Sequence, residues 1–113
     1  MSLVIKPLPI SLLVHTCEIK SKQKDRWGAV TNESSTQLTH IRIEPKADIV
    51  YAKDNEQIKP EATLYYDCRL SAPIDFKFKL GDKVIFEDCE YRIVTIKRYT
   101  TNVPHHYEVG LSI

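Results

Sequence analysis

The sequence predicts an all-β, mainly antiparallel fold: a small β-barrel or sandwich of six or seven short strands with two long loops, in one domain over residues 1–113. Three observations carry this. Apolar residues recur at every second position along most of the chain, the period of a half-buried strand rather than a helix. No window of helical length has an apolar stripe, and no capping box opens one. Pro45, Pro60, Pro73 and Pro104 fall between the alternating stretches, where a missing N–H does no harm.

Taken in order, residues 12–20 put Leu13, His15, Cys17 and Ile19 on one face. Residues 37–44 put Thr39, Ile41 and Ile43 opposite Leu38, His40 and Arg42. Between these two strands lies a polar connection, residues 21–36, long for a compact domain. Residues 45–60 form the second long connection, with a minor strand at residues 49–52 and a turn at Asp54-Asn55. A short helical turn over residues 60–64 is the only helical expectation. Residues 63–70 set Leu64, Tyr66, Cys68 and Leu70 against Thr63, Tyr65, Asp67 and Arg69. Residues 76–80 alternate apolar and basic, which reads as another strand. Residues 83–86 and 90–99 are rich in Val, Ile, Phe, Tyr and Thr, suited to a pleated surface, and the acidic residues between them read as a hairpin turn. The last strand carries Tyr107, Val109, Leu111 and Ile113 on one face.

With 16 basic and 15 acidic side chains the net charge is +1, so the whole chain is not a polybasic binder of nucleic acid or membranes. The balance is a cancellation: residues 1–46 carry +3 and residues 47–113 carry −2. No apolar run approaches the ~20 residues that span a bilayer. The apolar start is broken by Lys6, Pro7 and Pro9 and lacks a charged leader, so a signal peptide is not expected. Cys17, Cys68 and Cys89 are odd in number and far apart, which disfavours disulfides and structural zinc and fits buried thiols in a reducing cytosol.

Catalytic, cofactor and metal sites are expected to be absent. His105 and His106 should point to opposite faces of a strand, so their rings should not converge on one ion; His15 and His40 read as partly buried, satisfied imidazoles. No nucleophile motif appears, and Gly28, Gly81 and Gly110 are too scattered for a phosphate-cradling loop. Charge patterning is more informative. Lys20, Lys22, Lys24 and Arg26 recur at every second position and end at Trp27, so an extended chain would present four cations on one face beside an aromatic, as single-strand nucleic-acid surfaces do. The plainer reading is a solvated hairpin edge protected by lysines.

The segment Gly81-Asp-Lys-Val-Ile-Phe-Glu-Asp-Cys-Glu-Tyr-Arg-Ile-Val-Thr-Ile, with Pro104-His-His-Tyr-Glu-Val-Gly-Leu after it, resembles the minor capsid and head–tail connector proteins of tailed bacteriophages and prophages. Ile10-Ser-Leu-Leu-Val-His-Thr and Leu64-Tyr-Tyr-Asp are similar to that family's opening strand and its Leu-aromatic-x-Asp strand. The family's usual turn glycine is replaced by Asp88 or Cys89. The resemblance implies a non-enzymatic neck protein of the stopper type, needing no cofactor. It would form a ring with copies of itself, contact portal or adaptor and tail-completion proteins, close the head after DNA packaging and dock the tail. It would be assembled in the bacterial cytoplasm and reside in the virion neck, away from membranes. Lys20, Lys22, Lys24, Arg26 and Trp27 then mark a candidate loop facing packaged DNA in the channel. Ring contacts favour segregated charge, which makes Glu87, Asp88, Glu90, Arg92, Lys97 and Arg98 candidate subunit or partner contacts. The alternatives are a small oligonucleotide-binding barrel using the basic loop with Trp27, and a cytosolic enzyme using Cys and His.

Overall fold

The structure, a computed structural model, describes residues 7–24, 26–45, 50–51, 57–58 and 61–113. Its strands are β1 (His15–Lys24), β2 (Val30–Pro45), β3 (Val50–Tyr51), β4 (Gln57–Ile58), β5 (Ala62–Asp67), β6 (Lys83–Phe86), β7 (Cys89–Thr100) and β8 (Pro104–Ser112). Six of them close an antiparallel barrel in the order β1-β2-β5-β8-β7-β6, while β3 and β4 pair separately. The only helical element among the described residues is a 3-10 turn, Ile10–Leu12. The expected turn at Asp54-Asn55 lies outside the described residues.

Period-two burial closes the barrel around Cys17, Ile19, Leu38, Ile41, Ile43, Leu64, Tyr66, Val84, Ile93, Val109 and Leu111. Burying a Leu, Ile or Val side chain contributes about 1.5–3 kcal/mol, so this interior is the main source of stability. Strand β2 departs from strict alternation, since Leu38 and Ile41 are both buried. Between them His40 takes a positive φ of 54°, and the pairing with β1 shifts between His15 and Cys17. The extra residue turns the strand so that both side chains face inward.

Four expectations are corrected. Most of residues 21–36 is not a loop: β1 continues to Lys24 and β2 starts at Val30, paired as an arm. Residues 63–70 do not form one strand, because β5 ends at Asp67 and residues 68–70 turn. The helical turn expected over residues 60–64 is not found in its described part, residues 61–64, where β5 opens at Ala62. Residues 76–80 are not a strand, although Phe76 and Phe78 do pack against the core. Their alternation reports burial only; the isolated bridge of Ala72 with Thr39 of β2 comes before this segment. Phe78 instead meets Tyr66 and Tyr107 with ring centroids 5.5 and 5.7 Å apart, and the Tyr66 hydroxyl donates to the Pro73 carbonyl.

The end of β5 is held by a buried carboxylate. Asp67 is 0% exposed, and its oxygens accept N–H bonds from Leu8 (2.8 Å), Arg69 (2.8 Å) and Leu70 (3.0 Å). Its own N–H donates to the Ser71 hydroxyl, which in turn donates to the His40 carbonyl at the β2 irregularity. The β6–β7 connection is a two-residue turn at Glu87 and Asp88, with φ of 50° and 63°, the left-handed pair that matches strand twist. Asp88 therefore takes the turn position left open by the sequence.

Two measurements probe this core. Asp67→Ala should destabilise the fold by about 3 kcal/mol in urea unfolding, because it leaves several N–H groups without their charged acceptor. Burial pushes the Cys17 thiol up to about 12 from 9.0. Above pH 9 an unfolded Cys17 would release a proton that the folded one keeps, so stability should fall as pH rises from about 9 towards 12. Cys17→Ala should flatten that slope relative to the parent chain, a difference readable in urea titrations at pH 8, 9.5 and 11.

Candidate functional site

Register locates the charged residues. Strands β1, β5 and β7 run towards one end of the barrel and β2, β6 and β8 run back. The upper end carries the arm and the β7–β8 connection; the lower end carries the turn at Glu87 and Asp88. The arm is the part of β1–β2 beyond the barrel wall, paired from Ser21↔Ser34 to Lys24↔Val30. At its tip Arg26 stacks over the Trp27 ring, 4.9 Å from the centroid, and Trp27 is 78% exposed.

The cations expected on one loop are divided between two places. Lys20 and Lys22 lie at the arm's root, Arg26 and Trp27 at its tip, and Lys24 pairs through its backbone with Val30 near the turn. Strand pairing brings other residues to the root. Lys20 of β1 lies opposite Lys83 of β6, and Lys83 lies opposite Arg92 of β7. Three cations thus stand side by side across three neighbouring strands on the outer wall. With Lys22, Glu33, Gly81 and Asp82 they line a cleft of about 450 Å³. Like charges directly opposite each other destabilise a sheet. Here they are offset in part by Glu33, 4.0 Å from Lys20, and by Glu90, 3.4 Å from Lys83. Lys83 has no distinguishing sequence pattern; only the closure of β1 on β6 gives it this position.

The candidate contact residues also separate. Arg92 belongs to the cationic row. Lys97 pairs across to Glu108 and Arg98 to Tyr107 further up β7; Arg98 shares a cleft of about 470 Å³ with Asp75, Lys77 and Tyr107. Glu87 and Asp88 occupy the lower turn, and Glu90 follows it on β7.

The histidine expectation is corrected too. The His105 and His106 rings meet, with Nδ1 atoms 2.7 Å apart. The pairing of β7 with β8 shifts between Tyr99 and Thr100, which face His106 and Pro104. His105 is therefore the extra residue of a bulge, and bulges re-aim side chains. His106 stacks on Tyr99 at 4.6 Å and contacts Glu108 at 3.2 Å. Among the described residues no group of three or more His, Cys, Asp or Glu is placed to hold a metal ion. The thiols divide as well: Cys17 is buried, Cys68 half-buried with its thiol pushed up mainly by burial, and Cys89 exposed, against the expectation that all three are buried. Cys89 is exposed because it follows the lower turn, opposite Phe86, at the end of the ladder.

Comparison with known proteins adds the family. No curated protein matches the chain. Among solved structures, it is similar to the phage-like element PBSX protein xkdH from Bacillus subtilis at 10% identity and a TM-score of 0.38, covering 86% of this chain and 92% of that one. A family model described as minor capsid protein matches residues 9–111, almost the whole of the described barrel together with its arm. The chain belongs to the minor capsid protein family.

Proposed function

We propose that this chain is a structural protein of a phage or prophage neck: a stopper-type head–tail connector that forms a ring, closes the head after DNA packaging and docks the tail. Membership of the minor capsid protein family supports a structural, non-enzymatic role in the virion. The observation that carries the finer reading is the row Lys20–Lys83–Arg92 across β1, β6 and β7. Such a row is unfavourable in the isolated subunit and becomes favourable beside a polyanion. A ring repeats it once per subunit, so a modest local charge becomes a cationic belt around a channel without making the whole chain basic. In this reading portal or adaptor and tail-completion proteins take the two faces of the ring, and packaged DNA passes the belt transiently.

The reading is tested in particles and in solution. Particles lacking the chain should package DNA, then lose it and fail to join tails; particles that keep their DNA and carry tails would overturn the role. The purified chain, alone or with the portal–adaptor complex, should form closed rings by native mass spectrometry. DNA binding by those rings should weaken in Lys83→Glu and Arg92→Glu, with the salt slope reduced by about 0.9 for each phosphate no longer neutralised. Unchanged salt dependence would remove the belt from the DNA path.

A further inference from the structure

We infer that the arm tip of one subunit, Arg26 and Trp27, seats in the groove at the lower barrel mouth of a second copy of this chain. This rests on the proposed ring and supplies its contact. The tip offers a large exposed aromatic with a guanidinium stacked on it, and Trp and Arg are the side chains that most often anchor interfaces. The ladder from Ser21↔Ser34 to Lys24↔Val30 carries this pair away from the barrel.

The groove has the complementary chemistry. It holds about 400 Å³ and is lined by His15, Phe86 and Tyr91, by Glu44, Glu61 and Glu87, and by one cation, Arg42. The His15 ring packs on Phe86 at 4.9 Å and accepts the Ile43 N–H at Nδ1 (3.0 Å), which fixes one wall. Glu44 is paired with Arg42. Among the described residues no basic side chain is paired with Glu61 or Glu87. Their charge is felt locally: the Tyr91 phenol is held above its ordinary value first by burial, then by Cys89, then by Glu61 and Glu87. An indole can lie against the rings while the guanidinium reaches the carboxylates.

Geometry makes the contact intermolecular. His15 lies at the groove and Lys24 near the tip of the same strand, about 30 Å apart at strand rise, so a subunit cannot fill its own groove. A tip at one end and its receptor at the other form a heterologous contact, which repeats head to tail and closes into a ring when the rotation permits. The carboxylates repel phosphate, so a second copy rather than nucleic acid is the fitting occupant of the groove.

Sedimentation velocity of the full chain tests the pairing. Trp27→Ala and Arg26→Glu should each weaken self-association by about tenfold or more, as should the double variant Glu61→Arg with Glu87→Arg. Joining Arg26→Glu to that double variant in one chain should recover most of the association. These side chains are exposed, and unchanged circular dichroism separates a broken interface from a broken fold. Additive weakening without recovery, or parent-like association of Trp27→Ala, overturns the pairing. Loss of DNA binding by Trp27→Ala with association intact assigns the tip to nucleic acid and also overturns it. Rings indifferent to all these changes leave the neck reading standing and remove only this pairing; a parent chain that forms no oligomer, alone or on the portal–adaptor complex, removes both.

Discussion

Asp67 brings together segments that no strand ladder joins. It is fully buried at the end of β5, and a carboxylate in that position is tolerated only when its charge is met by donors. The N–H groups of Leu8, Arg69 and Leu70 meet it. The first fixes the segment before the 3-10 turn; the other two fold the chain back immediately after β5. Through Ser71 the same cluster reaches the His40 carbonyl, where β2 changes the face it turns to the core. That change keeps both Leu38 and Ile41 in the core as β2 passes from the arm, which it leaves after Ser34, into the barrel wall. One interior side chain thus ties the segment before the 3-10 turn, the turn after β5 and the β2 irregularity together.

Sequence periodicity made the barrel legible because a closed small barrel buries alternate residues almost everywhere. Leu13, Cys17 and Ile19, Leu64 and Tyr66, and Val109 and Leu111 are buried as the alternation predicts. The failures have a common cause: alternation records which side chains are buried, not which backbones pair. Phe76 and Phe78 cover the core from a segment without a ladder, and the arm is fully laddered where its polar sequence resembles a loop. Asp67 is buried beside Tyr66, on the opposite face of the alternation, because the chain turns back onto its carboxylate, and His105 departs from the pleat because a bulge falls on it. Single extra residues of this kind leave no mark on composition.

The candidate site was half legible for a related reason. The run Lys20, Lys22, Lys24, Arg26 and Trp27 is visible along the chain, but its meaning depends on what lies beside it. Barrel closure places Lys83 and Arg92 in one row with Lys20, although both are distant from it along the chain. The same closure leaves Lys97 and Arg98 on another part of β7. Grouping by sequence neighbourhood therefore placed Arg92 with Lys97 and Arg98, whereas the ladders set it beside Lys83 and Lys20.

A net charge of +1 then has a structural interpretation. Electrostatic recognition acts over a Debye length of about 8 Å at physiological salt, so a partner responds to local clusters and not to the sum over a barrel. The cationic row is on the wall formed by β1, β6 and β7, while the carboxylates of Glu61 and Glu87 are at the lower mouth. These surfaces do not compete. Copies joined tip to mouth would use the ends of the barrel and leave the wall exposed, and repeating that wall around a closed ring would turn it towards a common surface. Overall neutrality keeps subunits from repelling one another before they meet; the separation of charge within each one is what gives the proposed assembly a direction.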